Sequence, residues 1–211
     1  MFVITADQRD SRHDVDRVEQ AIASLLTRGG DSFVLPPERT AGDEFQFVLD
    51  RADVVVALVL DLHRTGHWSI GLGIGPVDRP LPTTTRAARG EAYFAARRAV
   101  EAAKGRPTRF SLDPDAPDGD APASADVLAL IDPLLLLRDA RTEAGWQIVD
   151  LIESGLSQKD AAEHLAVSPQ AVSLRVRAAS ARLDTPARDA LARLLTVVDR
   201  TLDPTDERTP R

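Results

Sequence analysis

The 211-residue chain carries a formal net charge of −7, is 43% hydrophobic and contains no Cys. Lack of Cys excludes disulfides, thiolate catalysis and Cys-based zinc sites. The acidic balance excludes a protein coated in basic surface but leaves a locally basic docking face open. The opening Met1-Phe2-Val3-Ile4-Thr5-Ala6-Asp7 lacks the basic start and long apolar run of a signal peptide. Apolar runs such as Val54–Leu60 and Leu134–Leu137 are too short to span a bilayer. A cytoplasmic protein with no membrane partner is expected.

Phe2–Ala6 reads as a short buried strand. Val15, Val18, Ile22, Leu25 and Leu26 fall at helical spacing and predict a helix over Val15–Leu26. Ser32–Pro36 and Phe45–Leu49 are strands flanking Thr40-Ala41-Gly42-Asp43-Glu44, where the Gly-Asp pair signals a hairpin turn. Arg51–Arg64 is helical. Trp68–Val77 is a strand in which Gly71, Gly73 and Gly75 alternate with Leu72 and Ile74, and the Pro- and Thr-rich Pro76–Thr85 runs on as a loop. Arg86–Ala103 is helical and Arg109–Leu112 closes the pattern as a strand. The order β-α-β-β-α-β-α-β predicts an α+β fold, a ferredoxin-like, mostly antiparallel sheet with helices packed on one face. Pro, Gly and Asp dominate 114–125, which is expected to link residues 1–113 to an all-helical unit at 126–203. There the helices are Val127–Asp139, kinked or divided at Pro133, then Glu143–Glu153, Gln158–Leu165, Pro169–Arg182 and Ala187–Leu202. The tail, 204–211, is expected to be disordered.

Residues 157–182 have the pattern of a helix-turn-helix. Ser157 and Ser168 are N-caps, Pro169 sits at the first helical position, and Ser157 with Asp160 approximates a capping box. Gly155 ends the preceding helix. Leu165, Val167, Val172 and Val176 are spaced to pack two short helices at a steep angle, with small Ala162 at the crossing. The tight turn carries Ala166 where Gly is usual, at a cost on the order of 1 kcal/mol for a left-handed residue. Ser168, Gln170, Ser173, Leu174 and Arg177 are left on the outer face of the second helix, where Gln reads adenine and Arg reads guanine in a major groove. Arg175 and Arg182 suit phosphates, and Lys159 on the first helix completes the basic set. Residues 168–182 contain no acid. Double-stranded DNA is the expected partner. Leu191, Leu194, Leu195, Val198 and Leu202 form one apolar face, which fits packing onto its own domain and fits a dimer helix equally.

Asp7 after the first strand and Asp43 at the hairpin tip can lie side by side, a pairing suited to Mg²⁺, with Glu44 as a third acid; ordinary turn chemistry explains the same residues. His63 and His67 are read as helix-end and loop residues, Trp68 and Trp146 as core. Asp7-Gln8-Arg9-Asp10-Ser11-Arg12, Gly42-Asp43-Glu44-Phe45-Gln46, Gly90-Glu91-Ala92-Tyr93-Phe94-Ala95-Ala96-Arg97 and the helix-turn-helix, taken in order, resemble the SatD family over nearly the whole chain. The resemblance implies a bacterial cytoplasmic protein with a C-terminal helix-turn-helix. The N-terminal part is also similar to the class III nucleotidyl cyclase and GGDEF palm-like fold, and the helix-turn-helix to sigma-factor region 4 and MarR-like modules. Carried over, Asp7 and Asp43 would be metal ligands, and Arg97, with Glu44, would contact a nucleotide. Tyr93 or Phe94 stands where a cyclase carries its Asn, and Ala-Gly-Asp-Glu-Phe lacks the first glycine of the diguanylate cyclase signature.

The expected function is a homodimeric transcription regulator whose N-terminal part senses a nucleotide or a divalent ion. A nucleotidyl cyclase or phosphotransferase with an appended helix-turn-helix, and a non-catalytic protein-interaction module, are the alternatives.

Overall fold

The computed structural model describes residues 1–114 and 121–202. Its elements follow the predicted order: β1 (Phe2–Gln8), α1 (Val18–Gly29), β2 (Phe33–Ala41), β3 (Glu44–Leu49), α2 (Ala52–Arg64), β4 (Trp68–Ile74), α3 (Glu91–Lys104), β5 (Phe110–Pro114), then α4 (Ala121–Asp139), α5 (Glu143–Glu153), α6 (Gln158–His164), α7 (Pro169–Ala178) and α8 (Ala181–Leu202). The fold is α+β, with one five-stranded sheet in the order β2-β3-β1-β4-β5. β1 runs antiparallel to β3 and β4, β3 antiparallel to β2, and β5 parallel to β4 through the α3 crossover.

The expectation of helices on one face is corrected, because both faces are covered. Phe2, Ile4 and Ala6 of β1 share a core with Val55 and Val59 of α2, whereas Met1 and Val3 point the other way and pack with Ala92 and Ala96 of α3. The alternating glycines of β4 explain how α3 lies so close. A Cβ on Gly71 would sit 2.2 Å from the Val100 nitrogen, and one on Gly73 would sit 2.1 Å from the Ala92 oxygen. Only glycine clears those contacts, which fall well inside van der Waals separation.

The first core also contains Val127, Ile131, Leu134 and Leu135 of α4 and Leu191, Leu195 and Val198 of α8, together with Phe110 and Leu112 of β5. Thus α4 and α8 complete the helical layer over the sheet, and the break in composition at 114–125 does not separate two cores. This also decides the apolar face of α8, which is spent on its own chain. Of the expected linker, 115–120 lie outside the described residues and Ala121–Ala125 begin α4; the tail 204–211 lies outside them too. Pro133 does not divide α4, which runs through it.

Some boundaries shift for local reasons. The Gln8 side chain donates to the Val15 carbonyl at 2.8 Å and accepts from the Arg17 N–H at 2.9 Å, pinning the preceding loop so that α1 starts at Val18 and leaves Val15 exposed. Arg86 falls in a short 3₁₀ turn, and Gly90 at φ 137° breaks it from α3. Gly42 at φ 54° makes the two-residue hairpin that its sequence predicts. Among the described residues no helix is long and apolar enough to cross a membrane.

Candidate nucleic-acid interface

Helices α5, α6 and α7 form a small unit with their own apolar centre: Ile148, Ala161, Ala162, Val172 and Val176, flanked by Leu165 and Val167. Each cap works as its residue type dictates. Ser157 Oγ accepts from the Asp160 N–H at 3.2 Å and donates to the Asp160 carboxylate at 2.7 Å. Ser168 Oγ accepts from the Ala171 N–H at 3.2 Å, with Pro169 at the first helical position. Ala166 adopts φ 51°, the left-handed turn that the missing glycine would have favoured.

This packing fixes what α7 presents. Val172 and Val176 point inward, so Ser168, Gln170, Ser173, Leu174 and Arg177 are exposed, as are Lys159 and Arg182. Arg175 is half-buried on the flank of α7, beside Val172, Val176 and Ala179. Ser180 at φ 51° separates α7 from α8, so α7 ends earlier than expected and Arg182 belongs to α8. It nevertheless shares one concavity of about 240 Å³ with Ser173 and Arg177. Among the described residues none of Lys159, Arg175, Arg177 and Arg182 forms an ion pair. Their charge is uncommitted, unlike that of Arg64, which grips Asp150 through two hydrogen bonds of 2.6 and 2.8 Å.

The acids behave differently. Asp7 and Glu44 are register partners across β1 and β3, and the Gln8 N–H donates to the Asp43 carbonyl, so the strand ends do meet. Burial pushes the Asp7 carboxyl above its usual range against the pull of Lys104, and the nearby Asp43 charge adds to the rise. The Lys104 ammonium lies 3.1 Å from Asp7 Oδ2 and 2.8 Å from Glu101. The Ser11 hydroxyl donates to Asp43, and Glu44 accepts from Thr40. As arranged, these donors fit a resident divalent ion poorly, because an ammonium already stands beside Asp7 and each other acid has a hydrogen bond. Arg97 lines a cavity with Thr40, Gln46 and Tyr93, and neither Asp7 nor Asp43 lines it.

The sequence reading missed the seam that ties the α5–α7 unit to the rest. Trp146 is faced by three guanidinium groups, Arg64 at 3.9 Å, Arg141 at 4.7 Å and Arg138 at 4.8 Å from the ring centroid. Arg138 and Arg141 both donate to Asp184, at 2.6 and 2.8 Å, and all three side chains are at most 5% exposed. Desolvation holds the Arg138 guanidinium below its usual range, with Asp184 opposing. His63 sits at the helix end as expected, bonded to the Thr108 carbonyl, and Trp68 is core. Comparison with protein-family models, with curated proteins and with solved structures finds no match for this chain.

Proposed function

We propose that the chain is a sequence-specific DNA-binding transcription regulator in which α7 enters the major groove. The observation that carries the reading is the outer face of α7: Ser168, Gln170, Ser173 and Arg177 exposed on a doubly braced helix, with uncommitted arginines and no acid between 168 and 182. A guanidinium free of ion pairs is available for guanine or phosphate, and Leu174, 61% exposed, suits a thymine methyl. The sheet order β2-β3-β1-β4, antiparallel throughout, supports a ferredoxin-like reading of the N-terminal part with β5 added at the edge. The resemblances to the SatD family and to the nucleotidyl cyclase fold belong to the same proposal. So does a nucleotide-sensing role for that part, with Mg²⁺ at Asp7 and Asp43 only if Lys104 swings away. A homodimer reading two half-sites would use a surface other than the buried stripe of α8.

Selection of genomic fragments by the purified protein tests this reading. A defined motif is expected, with binding that weakens steeply as salt rises because phosphate contacts release counterions. Arg177→Ala and Gln170→Ala should each cost about 1–3 kcal/mol at a specific base pair. Unchanged binding and footprints in both variants would refute docking through α7, and binding indifferent to salt would favour a protein partner instead.

A further inference from the structure

On the α3 side of the sheet the helix covers β1 and β4 but leaves a gap beside β2 and β3. The segment after β4 folds across that gap. Thr85 donates to the Pro36 carbonyl at 2.6 Å, and the Arg86 N–H donates to Glu38 at 3.0 Å, anchoring the segment on β2. The result is a cavity of about 550 Å³, floored by Thr40 and Gln46 and walled by α3 and the 85–90 segment. That volume lies within the ordinary range of small-molecule sites.

Its lining is basic, although Glu38 stands beside it and accepts from the Arg86 N–H; burial, and after it the Glu38 charge, opposes ionisation of Tyr93. The chain has 33 acids against 26 Lys and Arg, yet Arg86, Arg89 and Arg97 all line this cavity and no acidic side chain does. Among the described residues none of these guanidinium groups makes an ion pair or side-chain hydrogen bond, although most arginines elsewhere in the sheet half are paired with Asp or Glu. Like charges around one concavity repel and attract anions. Tyr93, one turn before Arg97, keeps its hydroxyl buried without a hydrogen-bond partner, an unfavourable state for a polar group unless something meets it. Beside them Phe94 is 59% exposed at the rim, an apolar ring on the same helix turn as the charges.

We propose that this cavity binds a nucleotide, its phosphates held by Arg86, Arg89 and Arg97 and its base stacked on Phe94. Arginine supplies forked donors matched to phosphate oxygens, and an aromatic ring supplies a stacking platform that any base can use. Because the arginines provide the counter-charge, binding needs no divalent ion. This rests on the sensing half of the function proposed above and is independent of whether α7 binds DNA.

Calorimetric titration of the full chain with ATP, GTP and inorganic pyrophosphate, in chelator and without DNA, tests it. One nucleotide should bind more tightly than pyrophosphate. Arg89→Ala and Arg97→Ala should each weaken all three ligands about 10-fold or more, the scale of one charge-assisted contact. Phe94→Ala should weaken the nucleotide and leave pyrophosphate unchanged. These residues are exposed, and unaltered melting curves would verify that the variants fold. No binding of any of the three, or binding that survives both arginine substitutions, overturns the site. Equal affinity for nucleotide and pyrophosphate with a silent Phe94→Ala overturns the nucleotide assignment. DNA affinity, measured separately with Arg177→Ala as control, keeps failure of the cavity distinct from failure of the DNA-binding reading.

Discussion

Replacing Asp184 with alanine would leave Arg138 and Arg141 buried, at 5% and 1% side-chain exposure, without the carboxylate that each now contacts. Two charge-assisted bonds, of 2.6 and 2.8 Å, would be lost, and such bonds contribute about 1.5–3 kcal/mol each. The guanidinium groups would also be poorly satisfied: Arg138 Nε and Arg141 Nη1 already lack partners. Their remaining support is the face of Trp146, at 4.8 and 4.7 Å, worth about 0.5–2 kcal/mol per contact, and for Arg141 the Ala179 carbonyl, 2.8 Å from its Nε. The losses outweigh that support, so the expected destabilisation is about 3–5 kcal/mol, as for other broken buried pairs. In a protein of this length each kcal/mol moves the midpoint by about 2–4 °C, so thermal unfolding should shift down by roughly 6–20 °C. Hydrogen exchange should show α5–α7 losing protection first, because Arg138 and Arg141 reach Trp146 of α5. Replacing the three residues together with apolar side chains should recover much of the loss. A shift of less than about 1 kcal/mol in Asp184→Ala would refute the claim that this carboxylate neutralises the buried pair.

Two further predictions concern local conformation and pH. Ala166→Gly should stabilise the protein by about 0.5–1 kcal/mol in urea titration, because relief of a left-handed alanine exceeds the added freedom of glycine in the unfolded chain; a loss of stability would show that the turn is not strained. Burial pushes the His63 imidazole below its ordinary range, against the pull of Asp139 3.5 Å away. The folded protein therefore keeps it neutral where the unfolded chain takes up a proton. Its contribution is present above about pH 6.5 and is lost as the pH falls through the depressed folded value. Melting temperature should decline over that window, and His63→Gln, which keeps a donor for the Thr108 carbonyl, should flatten the decline; parallel slopes would count against it.

The features legible in the sequence are those whose cause is local. Ser157 and Ser168 cap because a hydroxyl beside a helix start has free N–H groups within reach. Gly42-Asp43 turns a hairpin for equally local reasons, and the β4 glycines announce a close neighbour without saying which. What escapes is non-local. The period of Leu191, Leu195 and Val198 shows that α8 has an apolar face but not that the sheet, rather than a second copy, covers it. Lys104 reaches Asp7 from the far end of α3, so spacing along the chain could not reveal that an ammonium would sit where a metal was expected. Trp146 reads as core by type. Its three guanidinium neighbours come from α2, α4 and the segment before α5, and only the fold brings them together.

That seam bears on how the two ends of the molecule could communicate. A ligand in the α3 cavity and DNA on α7 would sit on opposite sides of the sheet. α4 and α8 are fixed in the sheet's own core, so reorienting them would expose Leu135, Leu191 and Leu195, each now at most 1% exposed, at about 1.5–3 kcal/mol per side chain. The α5–α7 unit is held toward α2 and α8 by Arg64 on Asp150 and Trp146 and by Arg188 on Glu153 at 3.0 Å, and toward the end of α4 by the buried Arg138 and Arg141 on Trp146. The contacts of Arg64 and Arg188 are partly exposed, and such surface ion pairs contribute only about 0–1 kcal/mol each. Coupling of about 1–3 kcal/mol is the usual scale of allostery. Exchange of the Arg64 and Arg188 contacts alone falls within that scale, whereas breaking the buried Arg138–Arg141–Asp184 cluster or moving α4 and α8 off the sheet exceeds it. The energetic ordering therefore places the movable joint between α2 and α5, with the sheet, α4 and α8 as the rigid frame against which α7 is aimed.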